Sequence, residues 1–446
     1  MTKTIEKTRT VTTTTRRYET EAVVEMKPLE ASNGNKLLDS NLDGNVLSIS
    51  PTATMKRLAH EGGGGSGGGA KLMEFEIVYD QTSAIFTGGD AITGKLRIVL
   101  KDAMKMRLIK LQYKGRASVQ WSENKLAKDG SAAKQVSKNE QVFFDKEIVL
   151  LERRPGQEVP AEFVLPAGIH VLPFIFPLPK NLPTSFEGDH GSIRYFCRAV
   201  IVKPWKFDHV TKRAFTILSP RSAVRDPALL KPIAISERTT LTSCCCLSGH
   251  VTCEISLPKQ VYAPGEMITA DAKISNLSRR QVIKAQISLV QLVTYRIGSQ
   301  KEGTEKSATN SRVVAERIIE KPLQDGKGHW NQEPMFRVPS TAPTLVDEAI
   351  NILRIEYELR VELSVSGGRP TDSLLGRLPI TVVLATTPSI TLSISGTTNG
   401  TNNVSGSKST KYVDAVFGRA NIREDDESEY VRGQLEFAPV YPVVET

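Results

Sequence analysis

Apolar residues in this chain recur at every second position, and this period is the strongest constraint on its fold. The clearest example is Ile355 to Leu363, where a charged residue stands between each pair of apolar ones. Segments 92–100 and 193–201 alternate in the same way. Because successive side chains of a strand point to opposite faces, this pattern predicts half-buried β-strands. One stretch, 104–110, has an ambiguous helical spacing. We predict an all-β protein, built as a sandwich or barrel.

An internal repeat indicates two similar β domains in tandem. The segment FTGGDAITGKLRI (86–98) aligns without a gap to YAPGEMITADAKI (262–274), with a turn glycine and an acidic residue in the same places. FPLPKNLPT (176–184) likewise matches FRVPSTAPT (336–344) in its Phe, two Pro and Thr. Repeats of this kind mark duplicated structural units. The sequence therefore predicts domains over 72–219 and 245–386, joined by a Pro-containing extended linker, 220–244.

The two ends of the chain differ from the predicted domains in composition. Residues 1–71 have no sustained apolar period and include the run HEGGGGSGGGA, so they are predicted to be a disordered extension with a Gly-rich linker. Residues 387–446 are polar and are predicted to be a disordered tail. The tail ends in an apolar cluster, which we interpret as a docking peptide that binds either a partner or an edge of one sandwich. Its residues are Phe437, Pro439, Tyr441 and Pro442.

Several features bear on the compartment. The longest apolar run, 165–179, is interrupted by four prolines, so no membrane span is expected. The N-terminal residues lack the apolar region of a secretory signal, and five cysteines suit no disulfide framework. The net charge of +9 allows non-specific attraction to anionic membrane surfaces or nucleic acid but is too small to indicate binding to either. We therefore expect a cytoplasmic protein.

Motifs for catalysis do not occur in the sequence. Its six histidines are scattered, and it has no nucleophile elbow, zinc-protease or P-loop string, so we expect no enzyme activity and no cofactor. The run Cys244, Cys245 and Cys246, near His250 and Cys253, offers zinc-ligand chemistry but lacks the usual ligand spacing. We therefore expect no metal site there. S-acylation of the three adjacent cysteines and an ordinary strand entry are the other interpretations.

The chain resembles the alpha-arrestin, or arrestin-domain-containing, family. The resemblance rests on MEFEIVYD (73–80), the strand entry at 86–94, FPLPKNLPTSFEGDHGSIRYFCRAVI (176–201), and the cysteine run followed by ISLPKQVYAPGE. It implies two immunoglobulin-like arrestin β-sandwiches without catalytic activity. It also implies a cytosolic adaptor that binds membrane receptor or transporter cargo, links it to ubiquitination and endocytosis, and is recruited to the plasma membrane or endosomes. A sandwich enzyme, the rival in another class, would need carboxylates clustered around a cleft.

One departure from the family concerns the tail. Many members carry PPxY motifs that bind the WW domains of HECT-type ubiquitin ligases, but this chain has no Pro-Pro pair. Recruitment of such a ligase by the usual route is therefore in question. The alternative function is a structural sorting scaffold of the retromer-subunit type, which recruits no ligase.

Charge is distributed unevenly between the first domain and the tail. The first domain has an excess of Lys and Arg, whereas the tail has an excess of Asp and Glu, concentrated at 424–429. The arrestin resemblance implies that a face of this domain binds acidic or phosphorylated cargo, unless its cations are simply solvated. We also predict that the acidic stretch transiently covers that face and competes with cargo. The candidate residues of the face are Lys110, Lys114, Arg116, Arg194 and Arg198.

Overall fold

The computed structural model of this chain describes residues 15–17 and 71–445, apart from 127–131, 153–161, 220–225, 244–245, 299–302, 321, 324–325, 348, 367–373, 385–409 and 425–430. Of the predicted N-terminal extension, strand β1 (Thr15–Arg17) and Lys71 are described, and the Gly-rich run lies outside the described residues. Within the described part there is no α-helix, and the single short 3-10 helix is Pro227–Leu230.

The first domain is a sandwich of two β-sheets. One sheet has the order β1-β7-β6-β11-β12, with β10 beside β11 and β3 beside β12, and the facing sheet has the order β2-β4-β9. Aromatic side chains join them, since Tyr113 of β6 stacks on Phe176 of β9 with ring centroids 4.1 Å apart. The strands are β2 (Leu72–Tyr79), β3 (Ile85–Phe86), β4 (Ala91–Leu100), β5 (Met104–Met106), β6 (Leu108–Leu126), β7 (Ala132–Glu152), β8 (Phe163–Leu165), β9 (Gly168–Pro177), β10 (Phe186–Glu187), β11 (Gly191–Val202) and β12 (His209–Ile217).

The second domain is also a sandwich. Its sheets have the orders β13-β14-β16-β19 and β15-β21-β20-β17-β18. In β20 the apolar residues from Ile355 to Leu363 are all buried, and the charged residues between them are half-buried, which confirms the predicted period. The strands are β13 (Ile233–Ser243), β14 (Cys246–Leu257), β15 (Val261–Tyr262), β16 (Met267–Asn276), β17 (Val282–Ile297), β18 (Lys306–Glu320), β19 (Lys327–Arg337), β20 (Leu353–Val365) and β21 (Leu374–Val382).

The internal repeat corresponds to the same turn in both domains. Asp90 accepts a hydrogen bond from the backbone N–H of Thr87 at 2.7 Å, and Glu266 accepts the equivalent bond from Ala263 at 2.9 Å. The turn glycines Gly89 and Gly265 have φ values of +97° and +93°, a left-handed conformation that glycine adopts without strain. The matching residues therefore form the same hydrogen-bonded turn in both domains. The predicted all-β architecture with two domains in tandem is confirmed.

Two local predictions were wrong. The ambiguous helical stretch 104–110 forms strands β5 and β6, because Met104 and Met106 are buried on one side of Lys105 and pair with β8. Much of the predicted linker, Ile233–Ser243, is the edge strand β13, which pairs antiparallel with β14. A short apolar run does not distinguish a helix from a strand, and an edge strand has one pairing partner and a weak period.

The tail beyond residue 409 also differs from its prediction as a disordered segment. Its strand β24 lies parallel to β12 at the edge of the first domain's larger sheet, while β22 pairs with β26 and β23 with β25. These strands have two to five residues, too few to show a period. They are β22 (Thr410–Asp414), β23 (Ala420–Asn421), β24 (Val431–Gln434), β25 (Glu436–Phe437) and β26 (Val440–Val444).

The two repeat glycines allow a matched test of tail docking. Gly89→Ala meets a single side-chain carbon of Lys180 at 3.6 Å, whereas a methyl group at Gly265 overlaps the backbone of Val444 in β26. Both substitutions force alanine into the left-handed region, at a cost of roughly 1–2 kcal/mol. Gly265→Ala should cost about 1–3 kcal/mol more, because the tail strand must also move. Denaturant unfolding measures both changes, and equal losses would contradict the contact.

Candidate functional site

The five predicted basic residues lie on one face of the first domain's larger sheet. Side chains alternate between the two faces of the sheet along β6 and β11. One set is buried in the core, and the five cations belong to the other set, on the outer face. The register places Arg194 directly opposite Arg116 on the neighbouring strand. The structure therefore brings together all the residues that the sequence proposed for this face, which we call the basic face.

Most cations of the basic face have hydrogen-bond or ion-pair partners within their own domain. The two lysine pairs are half-exposed and each contributes little stability, whereas Arg194 binds the carboxylate of Glu187, whose side chain is only 3% exposed. The pairs are Lys110 with Glu147 at 2.9 Å, Lys114 with Asp145 at 3.6 Å, Arg194 with Glu187 at 2.6 and 2.7 Å, and Arg198 with the Gln112 amide oxygen at 2.9 Å.

Arg116 contacts the tail as well as its own domain. Its Nη1 atom lies 3.1 Å from Glu140, and its Nη2 atom forms an ion pair with Glu424 of the tail. The second oxygen of Glu424 lies 2.8 Å from the Nζ atom of Lys212 in β12. One tail carboxylate is therefore held by two cations that stand on two different strands of the sheet.

Lys212 belongs to this candidate site, and the sequence analysis missed it. Its side chain is 0% exposed, and its Nζ atom lies 4.7 Å from the centre of the Phe196 ring, within cation–π range. Strand β12 is buried on both faces, so its sequence HVTKRAFTI shows no clean alternation. The lysine stands beside Arg213 in a strand of mixed polar and apolar residues, and such a sequence does not reveal a carboxylate partner.

The charge of Glu424 is stabilised by these contacts. Burial alone would raise the pKa of Glu424, but the hydrogen bond from Lys212 and the charge of Arg116 outweigh it and lower the pKa to about 2. The same carboxylates, Glu424 and Glu140, raise the pKa of Arg116 against the effect of burial. At neutral pH the site is therefore an ionised carboxylate between two charged donors. The other acidic residues of the predicted stretch, 425–429, lie outside the described residues.

Apolar tail residues pack beside the charged contact. Ile422 is fully buried against Phe196 and Ala214, with Phe437 beside it. Val431 of β24 is buried in a second small cluster on the outer side of β11 and β12. The tail therefore covers this face with apolar contacts, main-chain pairing and an ion pair.

The terminal cluster of the tail is also docked within the molecule. Pro439, Tyr441 and Pro442 are buried and Phe437 is half-buried. The hydroxyl of Tyr441 donates to the Ser185 carbonyl in the first domain at 2.8 Å. The sequence left open whether this cluster binds a partner or a sandwich, and in this structure it occupies an intramolecular site.

The tail contacts the second domain as well. The backbone N–H of Val444 donates to the Pro264 carbonyl at 2.9 Å, and that of Val416 donates to the Ser340 carbonyl at 2.9 Å. Because β26 also contacts the first domain, the paired strands β22 and β26 bridge both sandwiches.

The cysteines are the remaining candidate groups from the sequence. Cys244 and Cys245 lie outside the described residues, and Cys246 begins β14. Cys253 and Cys197 are buried free thiols, and burial raises the pKa of each to about 12, so neither is a reactive thiolate at neutral pH.

Among the residues that the structure describes, no group of His, Cys, Asp and Glu is arranged to hold a metal ion. The described segments also contain no helix that is long and apolar enough to cross a bilayer.

Comparison with known proteins places both sandwiches in one family of domains. The arrestin (or S-antigen) N-terminal domain matches residues 75–222, and the arrestin (or S-antigen) C-terminal domain matches residues 247–387. The tail that carries Glu424 lies beyond both matches.

Three curated proteins illustrate the similarity. Arrestin domain-containing protein 17 of Caenorhabditis elegans is 33% identical over 317 residues, which cover 69% of this chain and 71% of that protein. Arrestin domain-containing protein 4 of Mus musculus is 27% identical over 72% of this chain and 74% of its own length. Thioredoxin-interacting protein of Homo sapiens is 22% identical over 67% of this chain and 72% of its own length.

A double-mutant cycle tests the ion pair between Lys212 and Glu424. Glu424→Leu leaves a buried cation without this carboxylate and should lower the free energy of unfolding by roughly 3 kcal/mol. Adding Lys212→Met removes that cation, so the double variant should recover a large part of the loss. We expect a coupling energy on the order of 2 kcal/mol from denaturant unfolding. Strictly additive effects would contradict a direct interaction.

The same carboxylate should make the contact depend on pH. A lowered pKa stabilises the folded state above the ordinary value of 4.5, and this stabilisation is lost as the pH falls from 4.5 towards 2. The difference in unfolding free energy between the wild type and Glu424→Gln should therefore be constant from about pH 7 to pH 5.5 and smaller at pH 3.5. An equal difference at pH 3.5 would show that the charge of Glu424 does not matter.

Proposed function

Because the chain belongs to the alpha-arrestin family of arrestin domain-containing proteins, we propose that it is a non-enzymatic cytoplasmic adaptor in protein trafficking. Its basic face binds an acidic or phosphorylated segment of membrane cargo. In the absence of cargo, the tail of the same chain occupies this face.

One observation carries the proposal: Glu424 of an extended tail segment is held by Arg116 and Lys212. This contact is an intramolecular example of a face that receives an anionic peptide. A phosphate or carboxylate of cargo would meet the same two donors, which form charge-assisted hydrogen bonds. The edge of β12, where β24 pairs, supplies main-chain groups for an added strand.

The tail also bears on the proposed link to ubiquitination. The fragment Ala438 to Pro442 contains the nearest approach to a ligase-binding motif, and its Tyr441 is buried against the first domain. Binding to a WW domain would require release of this segment, because an aromatic ring cannot fill two sites at once. Recruitment of a HECT-type ligase is therefore coupled to undocking of the tail.

The main test measures the affinity of the full chain for a fluorescent phosphorylated peptide by anisotropy. Glu424→Gln should bind about tenfold more tightly than the wild type, because a weaker competitor occupies the face. Arg116→Gln should bind more weakly, because a donor to the anion is lost. A substitution that removes a carboxylate from the same face without touching the tail, Glu147→Gln, is the matched control and should change affinity much less. Equal affinities for the wild type and Glu424→Gln would exclude competition by the tail.

The sorting-scaffold alternative differs in its tail partners. The full chain and its Tyr441→Ala variant are tested for capture of ligase WW domains. We expect the variant to change capture, either through loss of the motif or through release of the tail. A chain that captures no WW domain in either form, and that binds no anionic peptide, supports the scaffold.

A further inference from the structure

The turn between β11 and β12 exposes two aromatic rings to solvent. The side chains of Trp205 and Phe207 are 94% and 84% exposed, more than any other large apolar side chain in the described part of the chain. The other two tryptophans, Trp121 and Trp330, are buried. Fully exposed aromatic rings are unfavourable in water, and neighbouring ones commonly mark an interaction surface.

The backbone of this turn holds the rings outward. Strands β11 and β12 are paired up to Ile201 and His209, and the carboxylate of Asp208 accepts a hydrogen bond from the backbone N–H of Lys203 at 3.0 Å. Pro204 is buried, and Trp205 follows with a φ of +58°, which is rare for a bulky residue. Strained conformations of this kind persist where the surrounding structure fixes them, often at functional sites. The rings are therefore exposed because the backbone of this hydrogen-bonded turn holds them outward.

Cations surround the rings. Lys203, Lys206 and Arg432 line the same open groove as Trp205 and Phe207, where Asp208 is the acidic member. Arg107 joins this end of the sheet through its backbone N–H, which donates to the Val202 carbonyl at 2.8 Å. The result is an apolar tip with a positively charged rim.

We propose that this turn docks the protein on an anionic membrane surface. Aromatic rings are favourable at the headgroup level of a bilayer, where one side is apolar and the other hydrated. Lysine and arginine beside them keep their charges in water while their stems reach the surface, and anionic lipids attract them. A rim with three cations and one acidic residue carries a net positive charge, which matches an anionic lipid surface better than a protein hot spot, whose core is usually depleted of charge.

This inference rests on residues other than Arg116, Lys212 and Glu424, so it can fail without affecting the proposed cargo face. The inference adds a direct contact between this turn and the lipid to the proposed contact between the basic face and cargo. Burial of apolar surface and electrostatic attraction to anionic lipids both add to the strength of such binding.

Intrinsic fluorescence provides a direct test, because Trp205 is the exposed tryptophan among three. The full chain is mixed with vesicles of phosphatidylcholine containing about 30% phosphatidylserine, and with vesicles of phosphatidylcholine alone. We expect a blue shift and protection from acrylamide quenching with the anionic vesicles, and a weaker effect with the neutral ones. Unchanged emission at saturating anionic lipid would overturn the proposal.

Substitutions then locate the contact by vesicle sedimentation. The double variant Trp205→Asn, Phe207→Ser keeps a residue that tolerates positive φ and should bind anionic vesicles at least about tenfold more weakly. Lys206→Gln should bind about fivefold more weakly and lose part of the salt dependence. The matched control, Ile169→Ser with Ile175→Ser, removes exposed apolar surface from β9 and should bind like the wild type. Circular dichroism confirms that each variant is folded.

The remaining outcomes would place the contact elsewhere. Equal loss in the β9 control would show that general apolar surface drives binding. Loss in Arg116→Gln, with none in the turn variants, would assign lipid binding to the basic face. Either result would overturn the turn as the docking element.

Discussion

The docked tail depends on a lysine that the fold buries completely. Lys212 lies in a strand covered on both sides, and its charge requires a carboxylate in the same water-poor space. Glu424, 212 residues further along the chain, supplies that carboxylate. The pairing of β24 with β12 and the burial of Ile422 surround this contact. With an apolar residue at position 212, the site would lack the buried charge that favours docking of an acidic tail segment.

The tail also relates the two sandwiches to each other. Tyr441 hydrogen-bonds to the first domain, whereas Val444 hydrogen-bonds to the turn of the second domain that carries Gly265. Other contacts cross directly, such as the ion pair of Asp189 with Arg312 at 2.6 Å, and Arg312 also stacks on Phe417 of the tail. Because the tail contacts both domains, its release would remove contacts from both at once.

The sequence predicted the parts of the fold that rest on local patterns. Alternation identified β20, and the repeat identified the turns of Asp90 and Glu266, because strand periodicity and turn chemistry involve residues close in the chain. It also placed five cations on one face. It did not identify Lys212 or the docked course of the tail, because these depend on strands of a few residues and on contacts between residues that are 212 to 308 positions apart. Sequence composition described the tail as polar, and it did not show that the few apolar residues, such as Ile422 and Tyr441, each have a buried site.

The order of the strands along the chain has a consequence for biosynthesis. Strand β12 is complete long before β24 leaves the ribosome, since Ile217 and Val431 are separated by the whole second domain. During that interval the nascent first domain has an open sheet edge and a lysine without its tail carboxylate. The first domain must therefore tolerate this state, or obtain a temporary cover from a chaperone, until the last part of the polypeptide arrives. Translation thus passes through an uncovered form of the protein before the covered one exists.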